Sequence, residues 1–216
     1  MNKDWSQLNK DTKQLLNKRQ TFADGITKLL QLRTLLFDKW LESVKHLSAE
    51  DYAKQPFINQ SGYHSKTIAY SIFHVFRIED IVLNTLINNR QQLFFEKGYH
   101  ITINSPIITT GNELQGGSIA EFSQQLDIHQ LLNYAKDVFE QSNHWLSCIS
   151  FDDLKTTYSN LDQQRISSTN TVDESQRWLI EYWCSKDVKG LLAMPFSRHW
   201  IMHLEASLRI KNKLTK

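Results

Sequence analysis

Apolar positions recur along most of this chain with the period of an α-helix. From about Thr12 to Leu47 the stripe runs through Leu15, Leu16, Phe22, Ile26, Leu29, Leu30, Leu36, Phe37 and Trp40, which predicts a first long helix. Gly25 falls inside it and costs roughly 1 kcal/mol of helix propensity without breaking the pattern. Ser48-Ala-Glu-Asp51 has the form of a capping box and opens a short helical turn, after which Pro56 and Gly62 mark a loop. A second long helix is expected from about Ser65 to Asn89. One of its stripes holds Ile68, Ile72, Val75, Val82 and Leu86; the adjacent one holds Ser71, His74, Ile78, Ile81 and Thr85. His74 therefore borders the core, with Arg77 one turn along.

The rhythm stops between about Gln91 and Gly117, where Gly98, Pro106, Gly111, Gly116 and Gly117 fall. Tyr99-His-Ile-Thr-Ile and Ile107-Ile-Thr-Thr are β-branched in character, so an irregular insertion with short extended pieces is expected. A loop of that length is either functional or mobile. Ser118 to Glu121 can start a short helix, and a third long helix covers about Ile128 to Ser147. Ser150 to Ser168 is polar, with short helical potential. A further helix is expected from about Asp173 to Leu192, with Trp178, Leu179, Tyr182 and Trp183 on its apolar face and Gly190 near its end. Pro195 opens the last helix, which continues to about Leu214.

Composition narrows the class. Seven Gly and three Pro in 216 residues, with abundant Leu, Gln, Lys and Glu, favour one all-α domain over residues 1–216, with extra short helices and the long irregular insertion at about 91–117. A net charge of +2 spread along the chain leaves no basic run, so no nucleic-acid partner is expected. No apolar run approaches the roughly 20 residues of a membrane span. The first residues lack the apolar core of a signal peptide, so the chain is expected to be cytoplasmic. Cys148 and Cys184 lie far apart and read as free thiols.

The candidate chemistry lies in the histidines. His199 and His203 are spaced i, i+4 and share the stripe of Phe196, Ala206, Ile210 and Leu214. Two neutral imidazoles on an apolar face need partners, and a metal ion is one partner that satisfies both. His74 can supply a third ligand, which leaves a fourth position for water or substrate. The all-nitrogen set suits Zn²⁺ or Ni²⁺ first, and also Cu²⁺ or Fe²⁺. Satisfied core histidines are the alternative. His46, His64, His100, His129 and His144 fall at helix ends, loops or polar stretches, where surface roles are expected. Arg77 is a candidate contact for an anionic substrate group near the metal, with a surface or interhelical ion pair as the alternative. Glu205 is about 200° from His203 on a helical wheel and faces away. Trp178, Trp183 and Trp200 are expected in the core or a dimer contact rather than in a pocket. There is no phosphate-binding Gly-rich loop, serine nucleophile elbow or HExxH motif.

The helix Thr67-Ile-Ala-Tyr-Ser-Ile-Phe-His-Val-Phe-Arg-Ile-Glu-Asp resembles the second helix of the DinB-like (damage-inducible) metal-binding bundle family. Pro195-Phe-Ser-Arg-His-Trp-Ile-Met-His-Leu-Glu-Ala-Ser-Leu-Arg-Ile resembles its fourth. The resemblance implies an up-down-down-up four-helix bundle with metal ligands at His74, His199 and His203. It further implies a metal-dependent S-transferase that uses a low-molecular-weight thiol, such as bacillithiol or mycothiol, on small electrophiles in stress response or detoxification. Arg77 would orient acidic groups of the thiol or substrate, and the protein would be a homodimer. Two other functions stay open: a metal-dependent hydrolase, and a non-enzymatic metal-binding or dimerisation module. The chain departs from the compact family pattern in its insertion and in an additional aromatic-rich helix between Ser150 and Met194.

Overall fold

The computed structural model describes residues 2–215, which are helical and irregular with no strand among them. The helices, in chain order, begin with α1 (Lys3–Leu15), α2 (Phe22–Val44), α3 (Ala49–Ala53) and α4 (Ile68–Asp80). Then come α5 (Leu93–Glu96), α6 (Tyr99–Thr102), α7 (Ser118–Gln125) and α8 (Ile128–Cys148). The last four are α9 (Asn160–Ser168), α10 (Trp178–Cys184), α11 (Val188–Leu192) and α12 (His199–Leu214). Side-chain caps set several starts. Asn2, Thr67 and Asp127 each accept a backbone N–H from the first turn of α1, α4 and α8, donors that otherwise have no helical partner. Ser48 and Asp51 cap one another reciprocally at α3, as the sequence pattern predicts. No helix is long and apolar enough to cross a membrane among the described residues.

Three segments differ from the periodicity. The expected first helix is two, because the chain turns back at Leu16–Thr21, where Thr21 Oγ1 donates to the Leu15 carbonyl. Gly25 makes that turn possible: a Cβ there would stand 2.9 Å from Leu16 Cδ2 and 3.1 Å from Leu16 N. The same apolar stripe serves both helices, so the stripe alone does not reveal the reversal. The expected extended pieces of the insertion are absent. Tyr99–Thr102 is a helical turn entered through Gly98 in the left-handed region, and its amides bond locally. β-branched residues without a partner strand have no ladder to join. The helix expected from Asp173 to Leu192 is broken after Cys184, and Asp187 caps a new one at α11.

Four long elements carry the core. Arg33 and Phe37 of α2 meet Glu79 and Phe76 of α4, and Asn143 and Phe139 of α8. They also meet Phe196 and Trp200 around the start of α12. Numbers fall along α4 and α8 as they rise along α2, so both run antiparallel to it, while α12 runs parallel. Apolar side chains gather at two ends. One cluster holds Phe37, Trp40, Phe73, Phe76, Trp200 and Leu204; the other holds Leu29, Ile78, Ile81, Leu179, Trp183 and Phe196.

A buried ion pair sits between the clusters. Arg33 donates to both carboxylate oxygens of Glu79, at 2.6 and 3.0 Å, and to Asn143 and the Phe196 carbonyl. Glu79 also accepts from Trp200 Nε1 at 2.8 Å and from Ser142. A second buried network fastens the insertion to α4. Arg77 donates to Gln92, the Ile108 carbonyl and Asp80, and Asp80 accepts the Leu93 and Phe94 amides at the start of α5. Charges with no access to water persist only when so paired.

Candidate metal centre

His74 sits two turns into α4, and His199 and His203 open α12 one turn apart. A π-helical turn over Met194–Arg198, with Pro195 in its first turn, leads directly into His199. Such turns add one residue per turn and re-aim the side chains beyond them. The antiparallel crossing of α4 and α12 brings the three imidazoles into a triangle with ring centroids 4.9, 4.9 and 4.7 Å apart. One nitrogen from each lies within 4.8 Å of the others. All three side chains are buried. The remaining described histidines lie elsewhere: His46, His129 and His144 are exposed, and His64 and His100 are half-buried.

The insertion fixes the orientation of His74. Its Nδ1 lies 2.8 Å from the Thr110 carbonyl oxygen, which can only accept, so Nδ1 carries the proton. Nε2 then presents a lone pair to the interior, 3.1 Å from His199 Nε2. This is the outer hydrogen bond that metal-bound histidines characteristically make. Tyr70 stacks on His74 at 5.3 Å with an 11° tilt, and its hydroxyl donates to the Gly111 carbonyl. Gly111 has φ +78°, and an added Cβ would stand 3.1 Å from Tyr70 Cε2, so this turn needs glycine to press so closely on α4.

The donor set fits a divalent transition ion. Ligand nitrogens around a tetrahedral ion are about 3.3 Å apart, close to the 3.1 Å between the two Nε2 atoms. Without an ion, one option puts the His199 proton on Nε2 and leaves its buried Nδ1 an acceptor without a donor. The other puts it on Nδ1 and leaves two lone pairs facing each other. A cation between the Nε2 atoms turns that repulsion into two bonds.

The histidines open onto a cavity of about 800 Å³, within the range of small-molecule sites. Its walls are mostly apolar and aromatic, with Leu179, Trp178, Trp183, Met194 and Met202 among them. Two tryptophans expected in the core thus line the cavity, while Trp200 packs in the core and serves Glu79. Arg77 does not reach the cavity. It is fully buried, and its guanidinium is committed to Asp80, Gln92, Tyr134 and the Ile108 carbonyl. The structure places Arg77 in that buried network and not at the cavity wall: position i+3 from His74 puts it on the neighbouring face, toward the insertion. Glu205 accepts the Asn2 amide, away from the triad. Sequence reasoning missed Thr110 and Gly111, because a backbone carbonyl has no residue signature.

Burial is the main cause that lowers the basicity of all three imidazoles. His74 falls to about 4; the Thr110 hydrogen bond opposes the shift and the Lys66 charge adds to it. His199 and His203 fall well below 6.5, with neighbouring imidazoles adding to the effect. All three are therefore neutral near pH 7, the form that ligates. In metal-free protein the unfolded chain takes up protons below about pH 6.5 that the folded chain refuses. Stability is thus fully present above about pH 6.5 and declines as pH falls toward 4, by about 1.4 kcal/mol per pH unit for each histidine. Urea unfolding of chelator-treated protein at pH 7 and pH 5 measures this. Equal stabilities at the two values would show that the imidazoles are not held neutral.

No family model matches the chain, and no curated protein matches it.

Proposed function

We propose that the chain is a DinB-like metal-dependent enzyme that joins a low-molecular-weight thiol, such as bacillithiol, to a small electrophile. His74, His199 and His203 hold the divalent ion, zinc or nickel first and iron next. The observation that carries the reading is the Nδ1–H of His74 bound to the Thr110 carbonyl, which leaves Nε2 facing His199 Nε2 at the wall of a ligand-sized cavity. The helix directions support the family resemblance, since α2 up, α4 and α8 down and α12 up is the up-down-down-up order.

When bound, a divalent ion supplies Lewis acidity that favours the anion of a thiol or of water. The residues of the chain do the rest. Thr110 holds the tautomer of His74, Tyr70 holds its ring plane, and the apolar walls exclude water from the electrophile. The thiol proton leaves to solvent, sulfur bonds to the electrophilic carbon, and the leaving group departs with the electron pair of the broken bond. A thiol suits this cavity better than hydrolytic water. No Asp or Glu lines it among the described residues, so no carboxylate stands ready as general base.

Conjugation of bacillithiol or cysteine to 1-chloro-2,4-dinitrobenzene, followed in zinc- or nickel-loaded and in chelated protein, tests the reading. The loaded protein should be faster by at least about tenfold, or about 1.4 kcal/mol. Equal rates would sink it. Hydrolysis of chromogenic esters without thiol would move the assignment to a hydrolase, and a stoichiometric ion with no turnover to a non-enzymatic module.

A further inference from the structure

The cavity has two unlike ends with the histidines between them. Tyr70, His74 and Ile78 lie at i, i+4 and i+8 on α4 and all line it, with Lys66 one turn ahead of Tyr70. Helical rise puts about 12 Å between the first and last of those three. Ile78, Leu179 and Trp183 belong to one apolar cluster, and Tyr70 and Ile119 belong to the other. The cavity therefore bridges the clusters, and Leu179, Trp183, Met194 and Pro195 line it together with Ile78.

The opposite end carries a charge that has no counter-ion among the described residues. Among the described residues Lys66 is the one formally charged side chain lining the cavity. Its ammonium lies 4.6 Å from the centre of the Tyr70 ring. No carboxylate stands within ion-pair distance among the described residues, although ten other basic side chains do have such partners. Glu113 is on the nearby loop but does not line the cavity, and it accepts from Thr109. Lys66 is half-buried, and burial lowers its basicity. Its charge also reaches His74 and His203, so it shares their space. A partly desolvated ammonium with only an aromatic face beside it gains from an anion brought by a ligand.

We infer that the cavity binds a small carboxylate-bearing amphiphile, with its anion at Lys66, its aromatic or branched apolar body against Leu179, Trp183 and Met194, and its middle at the three histidines. The inference deepens the proposed function and rests on that reading of the cavity as the substrate site. With Lys66 present and no Asp or Glu lining the cavity among the described residues, the site favours anions, and the apolar and aromatic side chains at the Ile78 end favour an apolar body.

The test compares 4-phenylbutyrate with 4-phenylbutanamide, the same body without the charge. Tryptophan fluorescence and calorimetry report binding in chelator-treated protein, where no ion can favour the carboxylate. Wild type should bind the carboxylate at least about tenfold tighter, about 1.4 kcal/mol. Lys66→Gln should erase the difference and leave amide binding within about twofold, whereas Lys66→Arg should keep it. Leu179→Gln should weaken both ligands alike. Equal binding of the two ligands by wild type, no binding of either, or an undiminished preference in Lys66→Gln would each overturn the inference. Thermal melts confirm that the variants fold. A protein that takes up no metal but keeps the carboxylate preference would sink the enzyme reading alone. A metal-loaded protein without the preference would sink the ligand inference alone.

Discussion

Replacing His199 with alanine is expected to take metal-replete protein from about one transition-metal ion per chain to about none, read by elemental analysis beside an extensively chelated control. The same loss is expected for His74→Ala and His203→Ala. The three imidazoles form a near-equilateral triangle, and no fourth His, Cys, Asp or Glu joins their group among the described residues, so no spare ligand can take over. The thermal readout comes by linkage. An ion at 100 times its Kd stabilises the folded state by about 2.7 kcal/mol. For a chain of this length that raises Tm by about 5–10 °C. Chelator should erase the shift in wild type and have no effect on the alanine variants. Their circular dichroism should stay helical, since all three side chains line a cavity and not the centre of a packed cluster. An unchanged metal content in the triple variant would overturn the assignment and leave three packed histidines.

The largest loss of stability is expected at Glu79. Its carboxylate receives four donors: two from Arg33, one from Trp200 and one from Ser142. Neither Glu79 nor Arg33 is exposed at all. Glu79→Ala strands a guanidinium between α2, α4 and α12 without its counter-ion, at a cost of about 3–5 kcal/mol. Replacing both partners, as in Arg33→Met with Glu79→Met, should cost much less, because the penalty comes from the unpaired charge and not from the missing pair. Urea unfolding of the single and double variants measures both. A single-variant loss under about 1 kcal/mol, or a double variant worse than the single, would show that the pair does not hold these helices. Trp200 adjoins His199, so Glu79→Ala should also loosen metal retention through the position of α12.

Much of the bundle is legible from hydrophobic periodicity. The stripes of α2, α8 and α12 mark their buried faces, while α4 is buried all round, and the capping box at Ser48 sits where the sequence pattern places it. The reversal at Leu16–Thr21 is not legible, because its determinant is the proximity of Gly25 to Leu16 and not a change of pattern. Arg77 shows the same limit. Its position near His74 suggested a ligand contact, yet Asp80 is three residues on and Gln92 closes the network from the insertion. Sequence proximity to His74 does not say which partners a guanidinium one turn along meets, because Gln92 and the Ile108 carbonyl come from the insertion.

The histidines divide the same way. The spacing of His199 and His203 on an apolar stripe of a helix is a property of the chain by itself, and it dictates that both imidazoles meet the interior together. The all-helical class and the His199–His203 pair stem from local propensity and from period, which act over a few residues and leave a record in the sequence, whereas His74 joins that pair through the family resemblance and the crossing of α4 with α12. Tertiary structure alone decides that a carbonyl 36 residues away fixes the proton on His74 Nδ1. It alone sends Trp183 to the cavity and Trp200 to Glu79, and sets Lys66 over the Tyr70 ring at the cavity wall. The physical reason is that periodicity records how deeply a side chain is buried but not what it is buried against. Contacts to backbone atoms and across distant segments depend on helix crossing and loop path, which no local pattern encodes.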